Sequence, residues 1–393
     1  MNRILFIKKG KFSNINDKIT QQLHRHFGDN SVEVLDIVSY LKGRPLTLFV
    51  NILFVIKEYG RDFLSGRKQK DDIRKVFFST VFLFKHIKKM LKKKVVPNHY
   101  IFTFQTQSLH DCSSLGTPHF VYTDYALLVD NYCPDISIEK YTRSRSYTAL
   151  EKCIYKNATK VFVLGGQVAQ SLVNDYQLPE SKVVCVGAGY NIQVSNLPTD
   201  DARYAKKKIL FVGIDWERKG GPLLIEAFQR VLAKHPDAHL TIVGSSPKVT
   251  VPNCEVVGKI PLSNVPQYFE QASVFCMPSI REPFGIVYIE AMLYRLPVVA
   301  LNRGATSDFI QPGVNGFLVE NTAEDLADAL DQLLQSPTRC RSFGEKGYDI
   351  AHERYSWNYI GGMIKKEILS ELSMIGQNGT IQAKQTIPQK TAR

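Results

Sequence analysis

The sequence predicts an α/β protein with two doubly wound, Rossmann-like domains, one in each half of the chain. Short apolar runs alternate with segments of helical spacing in both halves of the 393 residues. A polar stretch that contains a proline, residues 191–207, separates the halves and is interpreted as a linker. Strands that alternate with helices favour a parallel sheet covered on both faces, so each half is expected to form one such sheet.

The first half, residues 1–195, is expected to form the amino-terminal domain. Its opening, MNRILFIKKG, places an apolar core before lysines, which is the reverse of a signal peptide and suits a buried first strand. The candidate strands are residues 3–8, 31–37, 100–105, 118–123, 159–164 and 182–187.

The second half, residues 205–354, shows the alternation more clearly. Leucines recur at three- and four-residue intervals in residues 222–235 and 323–335, which predicts helices there. Residues 355–372 are predicted to form the last helix, and the polar tail 376–393 is predicted to be disordered. The candidate strands are residues 208–213, 239–244, 254–260, 274–279, 297–302 and 316–320.

Composition limits the class of protein. The 44% hydrophobic and 22% charged residues are typical of a globular protein. The longest apolar run, residues 45–56, falls short of the roughly 18–20 residues that span a bilayer. The seven cysteines are scattered and show no CxxC spacing, which argues against a disulfide framework and a zinc site and fits a reducing cytosol.

The net charge of +13 is distributed unevenly. Residues 1–200 hold 28 Lys/Arg against 17 Asp/Glu, whereas the remaining residues hold 22 against 20. Residues 44–94 mix cations with apolar segments, which fits an amphipathic surface that meets an anionic membrane. It equally fits core helices with a solvated lysine face. Nucleic acid is not expected as a partner, because no nucleic-acid motif accompanies the charge.

The stretch SIREPFGIVYIEAM, residues 279–292, places two carboxylates near a predicted helix start. Glu282 lies on the preceding loop, and Glu290 lies about a turn and a half into an otherwise apolar helix. Burying an unpaired carboxylate is costly, so Glu290 needs a strong partner. A pair of sugar hydroxyls is one candidate, and a structural arginine is the other. The N–H groups of Gly285 and Ile286 at the helix start suit a phosphate.

Two further loops carry candidate phosphate ligands. Arg218 and Lys219 come just before a helix start, where the helix dipole disfavours cations unless an anion lies between. The alternative is that both side chains extend into solvent. Gly304 follows another strand, where its N–H either faces a diphosphate or only shapes a turn.

These stretches are similar to the signature of family 4 glycosyltransferases, also called glycosyl transferases group 1. The signature is carried by Glu282-Pro-Phe-Gly and Glu290-Ala, with seven residues between the glutamates. FVG, RKGG, LTIVG, VVGKIP and NGFLV occur in the family's order over about residues 205–345. The resemblance is weaker in the first half, where it rests on PHFVYTD (118–124), residues 160–183 and VGAGYN (186–191).

The resemblance implies a retaining enzyme of the two-domain GT-B architecture, with the acceptor on the first domain, the donor on the second, and the last helix crossing back to the first. Glu290 is then expected to bind the ribose of a nucleotide-sugar and Glu282 to contact the donor sugar. Lys219 and Arg218 are expected to neutralise the departing diphosphate. The other donor-binding positions that it implies are Phe284, Gly285, Ile286, Gly304, Gly187 and Gly189. No metal or cofactor is expected beyond a UDP-, GDP- or ADP-sugar as substrate.

The sequence departs from the family pattern at two positions. Ile214 stands where members often carry an arginine, so Arg218 is expected to supply that charge. Tyr125 occupies the place of a common histidine, beside Asp124, and tyrosine lacks histidine's proton chemistry near neutral pH. Tyr125 and Asp124 are therefore the acceptor-side catalytic candidates, and His110 and His119 lie nearby in the sequence.

The sequence predicts a cytoplasmic retaining glycosyltransferase that acts on a lipid-linked, polysaccharide or other glycan acceptor in cell-surface glycan or exopolysaccharide synthesis. If residues 44–94 bind lipid, the protein is expected at the inner face of the membrane. One alternative is a GT-B protein that binds nucleotide-sugars without transferring them, which Tyr125 and Ile214 motivate. Another is a different GT-B activity such as sugar-nucleotide epimerisation.

Overall fold

Two parallel six-stranded sheets form the body of the protein, one in each half of the chain. The computed structural model describes residues 3–28, 32–68, 70–96, 99–133, 143–192, 194 and 201–385, without the side chains of residues 71 and 376–385. Residues 195–200 of the predicted linker lie outside this description. The α/β prediction with two doubly wound sheets is confirmed.

The first sheet has the order β2-β1-β3-β4-β5-β6, and its neighbouring strands run parallel. All six strands predicted in this half form, within a few residues of the expected bounds. They are β1 (Ile4–Lys8), β2 (Val32–Asp36), β3 (Phe102–Thr106), β4 (His119–Thr123), β5 (Lys160–Val163) and β6 (Val183–Cys185).

Seven helices accompany this sheet in the described residues: α1 (Ile15–Phe27), α2 (Ile37–Lys42), α3 (Pro45–Leu64), α4 (Ile73–Phe77), α5 (Val81–Lys94), α6 (Arg145–Asn157) and α7 (Gly166–Asn174). A short 3₁₀ helix, Leu127–Tyr132, follows β4. The helices bury one apolar stripe each, as Ile15, Ile19 and Leu23 do on α1.

The second sheet has the order β12-β11-β10-β7-β8-β9, again with parallel neighbours. Its strands are β7 (Lys208–Val212), β8 (His239–Val243), β9 (Cys254–Gly258), β10 (Val274–Cys276), β11 (Val298–Leu301) and β12 (Gly316–Val319). Its helices are α8 (Gly221–Lys234), α9 (Pro266–Gln271), α10 (Ile286–Leu293), α11 (Thr306–Phe309), α12 (Ala323–Leu334) and α13 (Pro337–Arg354). The strand order reverses between β7 and β10, as it does between β1 and β3 in the first sheet.

The last helix, α14 (Trp357–Gln385), returns to the first sheet and packs along α1. Ile360, Ile364 and Ile368 are buried on its inner face. Lys160 at the start of β5 forms an ion pair with Glu367, with an Nζ–Oε2 distance of 2.5 Å. The backbone remains helical through Gln385, beyond Gly376, where a disordered tail was expected to begin. Residues 386–393 of that predicted tail lie outside the described part of the chain.

The basic segment between β2 and β3 divides into two kinds of helix. Helix α5 buries Leu83, Phe84, Ile87 and Leu91 in the core and turns most of its lysines outward. Helix α3 instead leaves a row of large apolar side chains exposed, between 48% and 75% of each: Leu46, Phe49, Ile52, Leu53 and Ile56. Thus the core-helix alternative describes α5, and the amphipathic-surface alternative describes α3.

Candidate functional site

The carboxyl ends of β7 and β10 bring together two groups that are 63 residues apart in the sequence. Lys219 lies on the loop after β7, and Glu282 lies on the loop after β10. Because β7 and β10 are neighbours in the sheet, these loops meet, and Lys219 Nζ forms an ion pair with Glu282 Oε2. Both side chains are largely buried, and burial lowers the pKa of Lys219 while Glu282 opposes that shift.

Arg218 holds the same two loops together from the solvent side. Its Nε donates to Asp215 Oδ2 at 3.0 Å, and its Nη1 donates to the carbonyl of Arg281 at 2.9 Å. The carbonyl of Arg218 accepts from the N–H of Ile280 at 3.0 Å. Arg218 therefore lies beside Lys219 and Glu282 but is occupied by loop contacts rather than extended freely into solvent.

Gly304 closes this loop cluster from the end of β11. Its φ is +63°, and a Cβ at this position would lie 1.7 Å from the carbonyl oxygen of Glu282. Only glycine fits such an approach, which brings the backbone of residue 304 against the Glu282 loop.

Glu290 lies on α10 and is only 5% exposed. Its Oε1 accepts from the backbone N–H of Asn191 at 3.0 Å, and Asn191 Nδ2 donates to the carbonyl of Ser13 at 3.1 Å. Burial raises the pKa of Glu290 to about 7, opposed by the N–H groups of Asn191 and Ile192. Among the described residues, its partners are backbone amides of the segment between the domains, and no arginine salt bridge forms.

Three donor-site candidates near the start of α10 differ in their surroundings. Gly285 has a φ of +95° and caps the helix, and Ile286 begins it, so their N–H groups lie at the helix N-terminus. Phe284 is instead buried in an aromatic cluster, with ring centroids 5.7 Å from Phe309 and 5.9 Å from Tyr355. Its contacts are those of a core residue.

Gly187 and Gly189 lie at the junction of the two domains, where the chain passes α14. A Cβ on Gly189 would lie 2.6 Å from Cγ of Trp357, and one on Gly187 would lie 3.0 Å from Cε1 of Tyr355. Close packing against these rings accounts for both glycines without a ligand. The donor-binding role that the resemblance implies for both glycines stays a prediction.

On the first domain, the Tyr125 hydroxyl donates to Asp130 Oδ2 at 2.5 Å. Asp130 also accepts from Arg281 of the second domain, with Nε–Oδ1 and Nη2–Oδ2 distances of 2.8 and 3.2 Å. The Arg281 guanidinium lies 4.5 Å from the centre of the Tyr125 ring. Sequence reasoning missed Arg281 and Asp130; adjacency to Glu282 was the only signal for Arg281, and the position of Asp130 depends on the tertiary fold.

Asp124 precedes Tyr125 at the carboxyl end of β4 and is partly buried. Burial raises the pKa of the Asp124 carboxyl to about 6; the charge of Arg281 opposes this rise and that of Glu282 adds to it. Asp124 therefore senses the charges of Arg281 and Glu282 on the second domain.

The groups described above meet in a narrow crevice between the domains. It is lined by Tyr125, Asp130 and Gln167 from the first domain and by Arg281, Glu282 and Gly304 from the second. The structure therefore places three of the predicted residues, Glu282, Tyr125 and Gly304, in the lining of one crevice. Lys219 and Arg218 lie beside it, through their contacts with Glu282 and the carbonyl of Arg281. The structure leaves Phe284, Gly187 and Gly189 in packing positions.

The two histidines near this region behave differently. His119 is buried and has partners on both ring nitrogens, Thr103 Oγ1 at 2.7 Å and Gln105 Oε1 at 2.9 Å. His110 is also buried, yet neither ring nitrogen has a hydrogen-bond partner. His119 therefore has a structural role, and His110 needs a separate explanation.

Within the described residues, no cluster of three or more His, Cys, Asp or Glu side chains could hold a metal ion. Helices of the length and hydropathy needed to cross a bilayer are likewise not found in the part of the chain that the structure describes.

Residues 199–350 match the family model described as glycosyl transferases group 1. The chain is 35% identical over 147 residues to an uncharacterized glycosyltransferase of Haemophilus influenzae, covering 35% of this chain and 42% of that protein. It is 28% identical over 235 residues to the D-inositol 3-phosphate glycosyltransferase of Corynebacterium aurimucosum, covering 53% and 56%. The chain thus spans about half the length of these curated relatives.

Solved structures share the fold along most of the chain. The Anabaena protein Alr3699/HepE, solved with UDP and glucose, superposes with a TM-score of 0.64 at 15% identity, covering 94% of this chain and all 100% of that one. Sucrose-phosphate synthase from Thermosynechococcus elongatus superposes with a TM-score of 0.60 at 23% identity, covering 73% and 79%. These likenesses show the two-domain GT-B fold.

Proposed function

Because residues 199–350 match the family model of glycosyl transferases group 1, we propose that this chain is a retaining glycosyltransferase. It moves a sugar from a nucleotide-sugar donor to a lipid-linked, polysaccharide or other glycan acceptor, in the synthesis of a cell-surface glycan or exopolysaccharide. One observation supports the proposal: the buried Lys219–Glu282 pair lies at the switch point of the second sheet, and Glu282 lines the same crevice as Tyr125 and Asp130 of the first domain.

The second domain offers both cations and backbone N–H groups that could bind the donor. Lys219 and Arg218 supply positive charge at the carboxyl edge of the sheet, and the amides of Gly285 and Ile286 add N–H donors at a helix N-terminus. A diphosphate that departs toward these groups is stabilised by fixed charges in a water-poor crevice. Glu282 opposes the lowering of the Lys219 pKa by burial and offers acceptor oxygens for donor-sugar hydroxyls.

Glu290 is suited to the ribose. Its Oε1 is held by a backbone N–H, and a buried carboxylate without a cationic partner gains from additional hydroxyl donors. Ribose hydroxyls would add charge-assisted hydrogen bonds and favour the ionised form.

The first domain supplies the acceptor side. Asp124 has a pKa near the physiological range, so its carboxylate is suited to receive a proton from an acceptor hydroxyl. The Tyr125 hydroxyl is engaged by Asp130, so its part is to orient rather than to exchange protons. Retention of configuration would follow from attack on the face from which the diphosphate leaves.

The acceptor proposal extends to a membrane surface. The exposed apolar row of α3 lies between cations near both of its ends, Lys42 and Arg44 before it and Lys57 and Arg61 on it. An apolar row flanked by cations suits the headgroup boundary of an anionic bilayer. This arrangement supports a peripheral position at the inner face of the membrane for residues 44–94.

A screen of UDP-, GDP- and ADP-sugars by thermal shift tests the donor proposal, since a ligand that binds only the folded state raises the Tm. We expect one nucleotide class to raise the Tm, and Lys219→Met to weaken that nucleotide-sugar about tenfold or more. Lys346→Met, on the exposed face of α13, is the matched control and should leave the affinity unchanged. Equal nucleotide-sugar affinities of the wild type, Lys219→Met and Lys346→Met would count against the proposed donor site.

Product analysis then separates the alternatives. Incubation of the donor with an acceptor panel, followed by NMR of the anomeric proton, is expected to show a transferred sugar with the donor's configuration. A new sugar nucleotide formed without acceptor would indicate epimerisation. Binding without transfer or donor hydrolysis would indicate a nucleotide-sugar-binding protein.

A further inference from the structure

The switch point of the first sheet, between β1 and β3, holds a second crevice. Lys9 follows β1, and Gln107 and His110 follow β3; all three line this crevice together with apolar residues such as Ile7. Ligands of doubly wound sheets bind outside the carboxyl ends of the strands at this position. We infer that the crevice binds a phosphate group carried by the acceptor, an inference that rests on the proposed function.

Lys9 provides a positive charge, and the nearby carboxylate of Asp36 accepts instead from the N–H of Gly10 at 3.2 Å. The Lys9 ammonium lies 4.0 Å from the centre of the Phe78 ring, and it forms no ion pair with an acid among the described residues. Burial lowers the pKa of Lys9 to about 8, and the cation Arg143 lowers it further. An anion in the crevice would offset both effects, because a buried charge is stable only when it is paired.

His110 provides a buried donor that has no protein partner. It is 1% exposed, and both Nδ1 and Nε2 lack hydrogen-bond partners in the described structure. Burial lowers the pKa of His110 to about 3, with Lys9 adding to the effect, so the neutral ring carries one N–H. Leaving such a group unsatisfied is unfavourable, and a phosphate oxygen would satisfy it.

The backbone around the crevice is strained and held in place. Phe12, Ser13 and Asn14 have φ values of +45°, +50° and +64° after β1, and Gln107 has +64° after β3. Asn16 holds both loops: its Nδ2 donates to the carbonyl of Gly10 at 2.6 Å, and its Oδ1 accepts from Thr106 Oγ1 at 2.5 Å. Strained, locked loops of this kind are typical of ligand sites.

The chemistry selects an anion with acceptor oxygens. An ammonium acts as a point charge and suits phosphate, and a neutral imidazole N–H adds one directed hydrogen bond. The diphosphate of the donor is assigned to Lys219 on the other domain, so the phosphate here belongs to the acceptor. A soluble phosphoester and a phospholipid headgroup share this chemistry.

Titration with inorganic phosphate, followed by the imidazole resonances of 15N-labelled histidines, tests the inference. We expect a saturable shift of the His110 resonance, and Lys9→Met should weaken the binding of phosphate about tenfold. Lys11→Met, which removes an exposed lysine from the same loop, is the matched control and should change the affinity less than about twofold. No shift at His110, or equal weakening by both substitutions, would overturn the inference.

A second arm separates this site from the donor site. Lys219→Met should weaken nucleotide binding and leave the phosphate response of His110 intact. Lys9→Met should weaken the phosphate response and leave nucleotide binding intact. If Lys219→Met abolishes the His110 response, the phosphate occupies the donor site and the inference fails. Glycerol 3-phosphate and phosphatidylglycerol vesicles then distinguish the two sources: a Lys9-dependent response to the first indicates a soluble phosphoester, and one confined to the second indicates a lipid headgroup.

Discussion

At the scale of single residues, the site depends on carboxylates and cations that are removed from water. Glu282 and Lys219 compensate each other, so both remain useful as charges in a crevice that excludes solvent. Glu290 has no cationic partner among the described residues, and burial raises its pKa to about 7, although the N–H groups of Asn191 and Ile192 oppose the rise. The two glutamates of one sequence motif therefore differ in their surroundings, because Glu282 has a cation beside it and Glu290 has backbone amides.

The raised pKa of Glu290 predicts a pH dependence of stability. Its folded value of about 7 exceeds the ordinary 4.5, so between these values the unfolded chain loses the proton first and the free energy of unfolding falls as pH rises. Above about 7 that contribution is fully lost. Glu290→Gln should therefore show a smaller decrease between pH 5 and pH 8 in urea titrations at each pH.

Glu353→Gln, an exposed substitution on α13, is the control and should follow the wild-type pH profile. A Glu290→Gln profile parallel to that of the wild type would show that the carboxyl titrates normally in the folded protein.

At the scale of elements, the loops after the strands are fixed by close backbone contacts, and Gly304 is the clearest case. We expect Gly304→Ala to lower the free energy of unfolding by about 2 kcal/mol or more, because the added methyl group meets the carbonyl of Glu282 in a left-handed backbone conformation. It should also weaken nucleotide-sugar binding, since the Glu282 loop must move.

Gly313→Ala separates the effect of the left-handed backbone conformation from that of the close contact with the Glu282 carbonyl. Gly313 has a similar φ of +77° but no atom within 4 Å of the added Cβ, so its cost should be about 1 kcal/mol, with donor binding retained. Equal losses in the two variants, measured by urea denaturation, would show that conformation alone matters at residue 304.

The exposed apolar row of α3 predicts that this helix binds lipid through its apolar side chains, and not through lysine charge alone. Replacing both Phe49 and Ile56 by serine should weaken binding to phosphatidylglycerol vesicles about tenfold or more in co-sedimentation, because two exposed apolar side chains lose their burial. Folding should be preserved, since both side chains are exposed.

Leu115→Ser is the matched control, because Leu115 is 91% exposed in the loop between β3 and β4. Binding should also weaken with added salt and on neutralising Lys92 and Lys93. Lys94 pairs with Glu33 at 2.6 Å and should matter less. Vesicle binding that α3 substitutions leave unchanged would remove α3 from the interface.

At the scale of the whole molecule, Arg281 and Asp130 join the domains across the crevice that the donor sugar is proposed to enter. The pair is bidentate and largely buried, which makes it stronger than an exposed ion pair. On the other side of the joint, α14 and the rings of Tyr355 and Trp357 hold the segment of Gly187 and Gly189. The Arg281–Asp130 pair is therefore one of the contacts that hold the crevice closed, beside the hydrogen bond from the Gly166 N–H to Asp308 Oδ2 at 2.7 Å.

Asp130→Asn should loosen this contact and increase the radius of gyration in small-angle scattering of the ligand-free protein. Donor binding should then restore the wild-type value, because the ligand adds contacts to both domains. Asp237→Asn, which breaks an exposed ion pair to Lys207 within the second domain, is the control. Identical scattering from all three proteins would exclude the pair as a closing contact.

The sequence predicted the twelve strands and the motif residues of the second domain because both are local signals. Apolar periodicity reports burial on a strand or helix, and the positions of Glu282 and Lys219 after neighbouring strands follow from sheet topology. The disordered tail predicted from Gly376 stays a prediction, although the structure describes helical backbone through Gln385.

Only the tertiary structure determined the contacts between segments that are distant in the chain. Arg281 and Asp130 are 151 residues apart, and Asn191 and Glu290 are 99 apart, so no local pattern marks them as partners. The same holds for the exposed row of α3 and the unpartnered His110, since the apolar and aromatic residues of a core helix have the same composition. Burial and pairing are properties of the packed chain, and periodicity alone cannot say which apolar face finds a partner and which is left to solvent.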